Sequence, residues 1–283
     1  MILSSKQITA FRTKLLQWHN QDNDRDLPWK GEQNLYKIWL SEILLQQTRA
    51  EQGLPYYEKF IQHFPSIQDL ANADDDLVFK LWQGLGYYNR CKNMLATARY
   101  INTELYGQFP TTYQDILALK GVGAYTAAAI ASFGLHLPYP VVDGNVYRVL
   151  ARVFRIEQAV DSTIGKQLIY DLSQQLIDPK VPHTYNQAIM DFGAIVCTPQ
   201  KPKCNICSIQ KICLSYNTEW VQLLPLKTKK ITVKHRWFNY YILLYKELVY
   251  IQQRTAGDIW ENLYEFYKIE SSEADFGKTT LLD

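Results

Sequence analysis

No run of apolar residues in this 283-residue chain approaches the ~20 that a membrane-spanning helix needs. The opening stretch, MILSSKQITAF, lacks the succession of basic, apolar and small residues that makes a signal peptide, so a cytoplasmic location is expected. Internal repeats and low-complexity tracts are also missing. Acidic residues are scarce between 197 and 236, where Glu219 is the single acid among eight Lys and Arg. Such a local excess suits a polyanionic partner, although a solvated linker has the same composition. Hydrophobic residues at 47% and charged residues at 20% describe an ordinary folded protein, long enough for two domains.

Helical periodicity dominates the first two hundred residues. Ile8, Phe11, Leu15 and Trp18 form one apolar stripe, and 88–105 reads as another amphipathic helix. Breakers at 26–28, 64–65 and 109–110 separate helices of ten to twenty residues, which predicts an all-α body over 1–225. A basic linker follows at 226–236. The segment 237–254 then reads as two strands turning near Lys246-Glu247, the start of an α/β or β domain over 237–283.

Four of the five cysteines, Cys197, Cys204, Cys207 and Cys213, fall within 17 residues in the spacing Cys-x6-Cys-x2-Cys-x5-Cys. Four thiols on one short loop in a reducing compartment suit a metal centre better than disulfides. Zinc sites pair two short Cys-x-x-Cys arms, and only one is present; four unequally spaced thiolates can hold a cubane [4Fe–4S] cluster. Cys91 stands alone and reads as a small apolar residue. Between the first two ligands, Lys201 and Lys203 would be held outward as a cationic, phosphate-binding finger.

Residues 115–131 read as a helix, a Gly121-Val122-Gly123 turn and a small-residue helix whose first amides are open to a phosphate. This is a helix-hairpin-helix arrangement for contact with a DNA backbone, although many helix pairs turn on glycine. Two carboxylates are distinctive. Glu42 lies within WLSEILLQQT, a helix of Trp39, Leu40, Ile43, Leu44 and Leu45, where apolar neighbours should raise its pKa. Asp143 precedes a helix beginning near Asn145 and reads first as an N-cap; amide donors and the helix dipole should lower its pKa. Two carboxylates pushed apart in pKa are what acid-assisted cleavage of a glycosidic bond uses.

Taken in order, LPWK (27–30), SEILLQQT (41–48), WQGLGYYNR (82–90), LKGVGAYTAAAI (119–130), VVDGNVYRVLAR (141–152), NQAIMDFGAIVC (186–197) and the cysteine loop resemble the adenine DNA glycosylases of the MutY family over roughly residues 5–220. The hairpin and cysteine loop alone would fit endonuclease III equally. Endonuclease III-like lyases, however, carry a Schiff-base lysine where this chain has Tyr125, lack an acid matching Glu42, and usually follow the aspartate with threonine and histidine rather than Gly144-Asn145.

The resemblance implies a mostly α helix-hairpin-helix glycosylase of two helical subdomains: a six-helix module at about 30–136, and the N-terminal helix joined to 137–220 around the iron–sulfur loop. It implies a monofunctional enzyme, acting as a monomer on bacterial nucleoid DNA, that removes adenine opposite 8-oxoguanine or guanine. Glu42 would protonate adenine, Asp143 would stabilise the sugar cation, and Tyr125 and Asn145 would hold these carboxylates. Arg25, Trp29 and Gln187 would line the base pocket, while Gln47 and Tyr87 would wedge into the duplex. Two departures stand out: Lys30 replaces the family's arginine, and 237–283 resembles only the beginning of a Nudix-like reader domain, predicting weakened preference for 8-oxoguanine over guanine. The rival expectations are a related glycosylase acting on mismatched thymine or uracil or on oxidised pyrimidines, and a non-catalytic iron–sulfur DNA-binding module.

Overall fold

A computed structural model describes residues 2–228, 234–255, 257–260 and 263–273. Residues 229–233 of the expected linker and 274–283 of the expected C-terminal domain lie outside the described residues. The chain divides into two compact units, Met1–Leu85 with Arg90–Lys229, and Gly86–Asn89 with Lys230–Asp283.

The elements described before residue 228 are helical. In order come α1 (Ser5–Asp22), α2 (Leu35–Leu45), α3 (Ala50–His63), α4 (Ile67–Ala71), α5 (Asp75–Trp82), α6 (Tyr88–Thr103), α7 (Tyr113–Leu117), α8 (Ala124–Leu135), α9 (Gly144–Val153), α10 (Thr163–Leu176) and α11 (Pro182–Ile195). Two one-turn 3-10 helices, Cys204–Ile206 and Gln210–Ile212, and α12 (Trp220–Leu223) complete it. Helix starts are set by side chains that satisfy the first free amides: Ser4 in a capping box, then Asn34, Asp74, Asp143 and Ser162.

Two sets of helices position the site. In one, α2 packs on α3 and α8, and α7 on α8. In the other, α1 returns from the start of the chain to lie on α10 and α11, and α9 lies against α10 and α11. The α1 stripe explains this return. Phe11, Leu15 and Trp18 are buried with Val149, Leu150, Ile169, Leu172 and Phe192, and Trp18 meets Phe192 edge-on with ring centroids 4.9 Å apart. Burying side chains of this size contributes about 1.5–3 kcal/mol each. Arg12 then caps the end of α10, donating from Nε to the Leu176 carbonyl at 2.9 Å and from Nη2 to that of Gln175 at 3.2 Å.

Among the described residues of the smaller unit are three antiparallel strand pairs: β1 (Trp237–Tyr241) with β6 (Tyr267–Ser271), β2 (Leu244–Tyr245) with β3 (Leu248–Val249), and β4 (Gln252–Gln253) with β5 (Tyr264–Glu265). The turn falls at Lys246-Glu247, as the composition suggests, with Lys246 at φ 54°. The expected two strands are broken into four, because β1 leaves the hairpin to pair with β6, Trp237 opposite Ser271. Its core is partly ionic: the Arg254 side chain is 2% exposed, 2.8 Å from Asp258 and paired with Glu265.

Candidate active site

Eight of the eleven residues of α2 are buried, including Trp39, Leu40, Ile43 and Leu44, so Glu42 has no edge by which to reach water. Burial is the main cause that raises its carboxyl to about 7; the negative charge of Asp143 adds to this, and a hydrogen bond donated by the Tyr125 hydroxyl partly offsets it. Tyr125 is itself pushed well above its ordinary value by burial and by the two carboxylates, so it remains a donor at neutral pH. It sits in the first turn of α8, directly after the hairpin.

Asp143 is the N-cap of α9. Its Oδ1 accepts from the backbone amides of Asn145 and Val146, both at 2.8 Å, and its Oδ2 accepts from the Asn145 side chain at 2.6 Å. The expected lowering of its pKa does not occur. Burial outweighs these three hydrogen bonds and the Arg148 cation, and the net shift is upward. Cap donors are local and visible in sequence; the desolvation that overrides them comes from helices remote in sequence. Glu42, Tyr125, Asp143 and Asn145 therefore form one hydrogen-bonded, electrostatically coupled group.

Asn145 is held in turn. Its Oδ1 accepts from Arg148 Nη2 at 2.8 Å, and the same guanidinium donates to the Gly193 carbonyl at 2.7 Å and, through Nε, to the Cys197 carbonyl at 2.7 Å. Gly193 has to be glycine, because a Cβ there would stand 2.6 Å from Cβ of Asn145. Arg152 lies one turn further along, donating to Thr198 and Pro199 carbonyls at 2.7 and 2.8 Å and lying 3.5 Å from Cys197 Sγ. Sequence reading missed both arginines. The available signal was a cation at two positions, four apart, on the buried face of α9 among Val146, Val149, Leu150 and Val153.

Arg25, one of the expected pocket residues, is held by a different acid. Asp191, with a side chain 0% exposed, accepts from Arg25 Nη1 at 2.8 Å and from Asn23 Nδ2 at 2.9 Å, and lies 3.2 Å from Lys30 Nζ. Gln187 lies one turn earlier on α11 and is among the groups that hold the Asp191 carboxyl below its ordinary value. Lys30 has a second partner, the Arg25 carbonyl at 2.6 Å, so the lysine that departs from the family pattern braces the loop carrying Arg25. Trp29 packs edge-on against Tyr57 at 5.5 Å.

In the hairpin, Gly121 has φ 80° and a Cβ there would lie 2.8 Å from Asn93, so the turn requires glycine. Gly123 does not have positive φ; it is the extended N-cap of α8 with open space around it, leaving the helix amides accessible. Val122 is the buried member of the three. Gln47 and Tyr87 are both exposed and both in the left-handed region, at φ 56° and 50°. That conformation is uncommon for residues with side chains and concentrates at functional sites.

Arg90 sustains the Gln47 turn. Its Nη1 donates to the carbonyls of Ile43 and Leu44 at 3.1 and 3.0 Å and also to that of Gln46, and Nη2 donates to Thr48 Oγ1 at 3.3 Å. This guanidinium closes the C-terminus of α2, three residues beyond Glu42. Arg90→Met is expected to leave those carbonyls without their donor and to lower the unfolding free energy by about 2 kcal/mol. A urea midpoint indistinguishable from the parent would contradict this role.

All four loop cysteines are free of disulfides. Cys197, Cys207 and Cys213 pack against the core of α1, α9 and α11. Backbone amides donate to the sulfurs of Cys207, from Ile209, and of Cys213, from Ser215 and Tyr216. Burial pushes the Cys207 thiol up to about 12 and raises Cys204 and Cys213. Among the described residues, no three His, Cys, Asp or Glu side chains surround one point as a single metal ion requires. The donor set nonetheless suits a cluster: N–H groups directed at sulfur stabilise anionic thiolates once metal displaces their protons. Lys201 and Lys203 are both exposed on this loop.

These helices, the hairpin and the two carboxylates define a base-excision fold. A family model described as HhH-GPD superfamily base excision DNA repair protein matches residues 40–170. The architecture is shared with a thermostable thymine-DNA glycosylase, at TM-score 0.69 and 30% identity over 75% of this chain and 97% of that one. An endonuclease III–DNA complex has the same fold at TM-score 0.64 and 18% identity, with 76% and 97% covered. Among curated proteins, the adenine DNA glycosylase of Buchnera aphidicola subsp. Schizaphis graminum is 38% identical over 92% of this chain and 75% of the relative. The human adenine DNA glycosylase is 44% identical over 73% of this chain and 39% of that protein. The chain belongs to the adenine DNA glycosylase family.

Proposed function

We propose that this chain is a monofunctional glycosylase that removes adenine mispaired with 8-oxoguanine or guanine from duplex DNA. One observation carries the reading: a buried carboxyl raised to about 7, Glu42, coupled to a second, amide-bound carboxylate, Asp143, with a tyrosine where a lyase needs an amine. Protonated Glu42 transfers its proton to N7 of the extruded adenine as the bond from C1′ to N9 breaks. The electron pair leaves with neutral adenine, and Asp143 faces the resulting oxocarbenium ion. Water adds at C1′, losing its proton to Glu42, which restores the acid and leaves a base-free sugar. Tyr125 and Asn145 hold the two carboxylates. Tyr125 offers no amine for a Schiff base, so the strand is not cut.

Gln47 fills the gap left by the extruded base, while Arg25, Trp29 and Gln187 receive it; the strained backbone at Gln47 supports this. The open amides after Gly123, with Lys201 and Lys203, take the backbone phosphates. Cys197, Cys204, Cys207 and Cys213 would hold a [4Fe–4S] cluster, which supplies structural support for the cationic loop. Iron and sulfide analysis of protein purified without air is expected to give four of each per chain; zinc instead would overturn the assignment. In this reading the strands of 237–273 begin a Nudix-like reader, and the enzyme acts as a monomer in the cytoplasm.

The test is single-turnover base release from duplexes bearing one A:8-oxoguanine, A:G, T:G or thymine-glycol site, with each product examined before and after alkali. Adenine release with strand scission only after alkali is expected. Release of a pyrimidine, or scission without alkali, would replace the substrate or the mechanism.

A further inference from the structure

One side chain with no part in the proposed chemistry joins the Gln47 turn to the glycine hairpin. Gln46 is the C-cap of α2, directly before Gln47. Its main chain is tied locally: the carbonyl accepts from Arg90 Nη1 and, at 3.3 Å, from Thr48 Oγ1. Its side chain reaches the other way, across 75 and 80 positions of sequence. There Nε2 donates to the Gly121 carbonyl at 3.3 Å and to Thr126 Oγ1 at 3.4 Å. A primary amide suits this pair because one nitrogen carries two N–H groups for two acceptors. Gly121 is the left-handed residue of the hairpin turn, and Thr126 is buried in the first turn of α8.

We propose that Gln46 is a positioning residue for base extrusion: its amide fixes the Gln47 turn against the hairpin that grips the DNA backbone. This deepens the assignment of Gln47 as the wedge and of the hairpin amides to phosphate, and rests on both. Extruding a base costs unstacking and unpairing, so a wedge works only when braced on something the duplex itself holds. The hairpin is that anchor, because its open helix amides take phosphate. Gln47 stands at φ 56°, a conformation that a residue with a side chain keeps only where its surroundings hold it. Without the Gln46 amide the turn is still closed onto α2 by Arg90 and Thr48, but it is free to shift against the hairpin. Wedge and grip then act separately and extrusion slows. Proton transfer from Glu42 to a base already extruded is unaffected.

The experiment mixes the full chain, in stopped flow, with a duplex carrying 2-aminopurine in place of the adenine opposite 8-oxoguanine. The fluorescence of that base rises as it leaves the stack. Single-turnover adenine release is measured in parallel from the paired sequence and from one in which the adenine is bulged and already partly unstacked. Gln46→Met keeps the side-chain length and removes both donors. Its fluorescence rise is expected to slow about tenfold, as the loss of two ordinary hydrogen bonds allows. Adenine release should slow equally from the paired duplex but less than about threefold from the bulged one. Gln47→Ala should slow the rise similarly, and adding Gln46→Met to it should slow it less than about twofold further. A parental rise in Gln46→Met, equal slowing on paired and bulged adenine, or additive effects in the double variant would each overturn the proposal. Should Gln46→Met fail to fold by circular dichroism, Gln46→Glu decides, being equal in size with no N–H to give: a parental rise overturns it. A Gln47→Ala chain that extrudes at the parental rate would instead remove the wedge assignment on which the inference stands.

Discussion

Glu42→Gln is expected to slow adenine release by roughly two to four orders of magnitude and, at the same time, to stabilise the protein at alkaline pH. The two effects have one origin. The fold raises this carboxyl from its ordinary 4.5 to about 7 because burial, and then the charge of Asp143, disfavour the ionised form. Below pH 4.5 the group is protonated folded and unfolded, and the fold bears no penalty. Between 4.5 and 7 the unfolded chain ionises while the folded one does not, so stability falls as pH rises. Above about 7 the whole difference, about 3 kcal/mol, weighs against the folded state. Glutamine is neutral throughout, and its carbonyl still accepts from Tyr125. Denaturant unfolding at pH 8 should therefore favour Glu42→Gln by up to about 3 kcal/mol, and the gain should vanish near pH 4. Catalysis moves the other way, since general-acid assistance contributes roughly 10²–10⁴-fold. A variant that retains the parent rate would remove Glu42 from the chemistry. In the parent, the single-turnover rate should decline as pH passes through about 7, the point at which the acid loses its proton.

The second large effect is expected of Asp143→Asn, with release slowed by roughly three orders of magnitude because the sugar cation loses its counter-charge. Folding should persist, since asparagine also caps helices and its carbonyl can accept from the Asn145 and Val146 amides. Its amide nitrogen would confront the Asn145 side chain that now donates to Oδ2, costing about 1 kcal/mol. The substitution carries a second signature. Because the Asp143 charge helps to raise Glu42, removing it should lower the Glu42 titration midpoint, readable by carboxyl NMR. A midpoint that stays at about 7 would mean that burial alone sets it. The acid limb of the rate profile, which reflects Asp143 protonation above the ordinary aspartate range, should disappear in this variant.

Much of this site is legible along the chain because its parts are local. A carboxylate set within Trp39, Leu40, Ile43 and Leu44 on one helix is buried whichever way that helix turns. An aspartate two residues before the first free amide of α9 caps it whatever lies beyond. Four cysteines within one loop are close by chain connectivity alone, and Gly121 marks a turn that no residue with a Cβ fits. Helical periodicity placed Phe11, Leu15 and Trp18 on one face. None of these depends on knowing which elements meet.

The tertiary structure decided the remainder, and the reason is range. Desolvation is summed over every neighbouring atom, so the sign of the Asp143 shift depended on helices distant in sequence and reversed the expectation from its cap. Arg148 joins Asn145 to the Cys197 carbonyl, Arg90 closes the end of α2 from 44 to 47 positions away, and Asp191 gathers Asn23, Arg25 and Lys30 from the start of the helical unit. An isolated arginine or aspartate in sequence announces only its charge. Which buried carbonyl or amide it satisfies is settled when the helices pack, because a charge taken out of water keeps its ionised form only where partners await it.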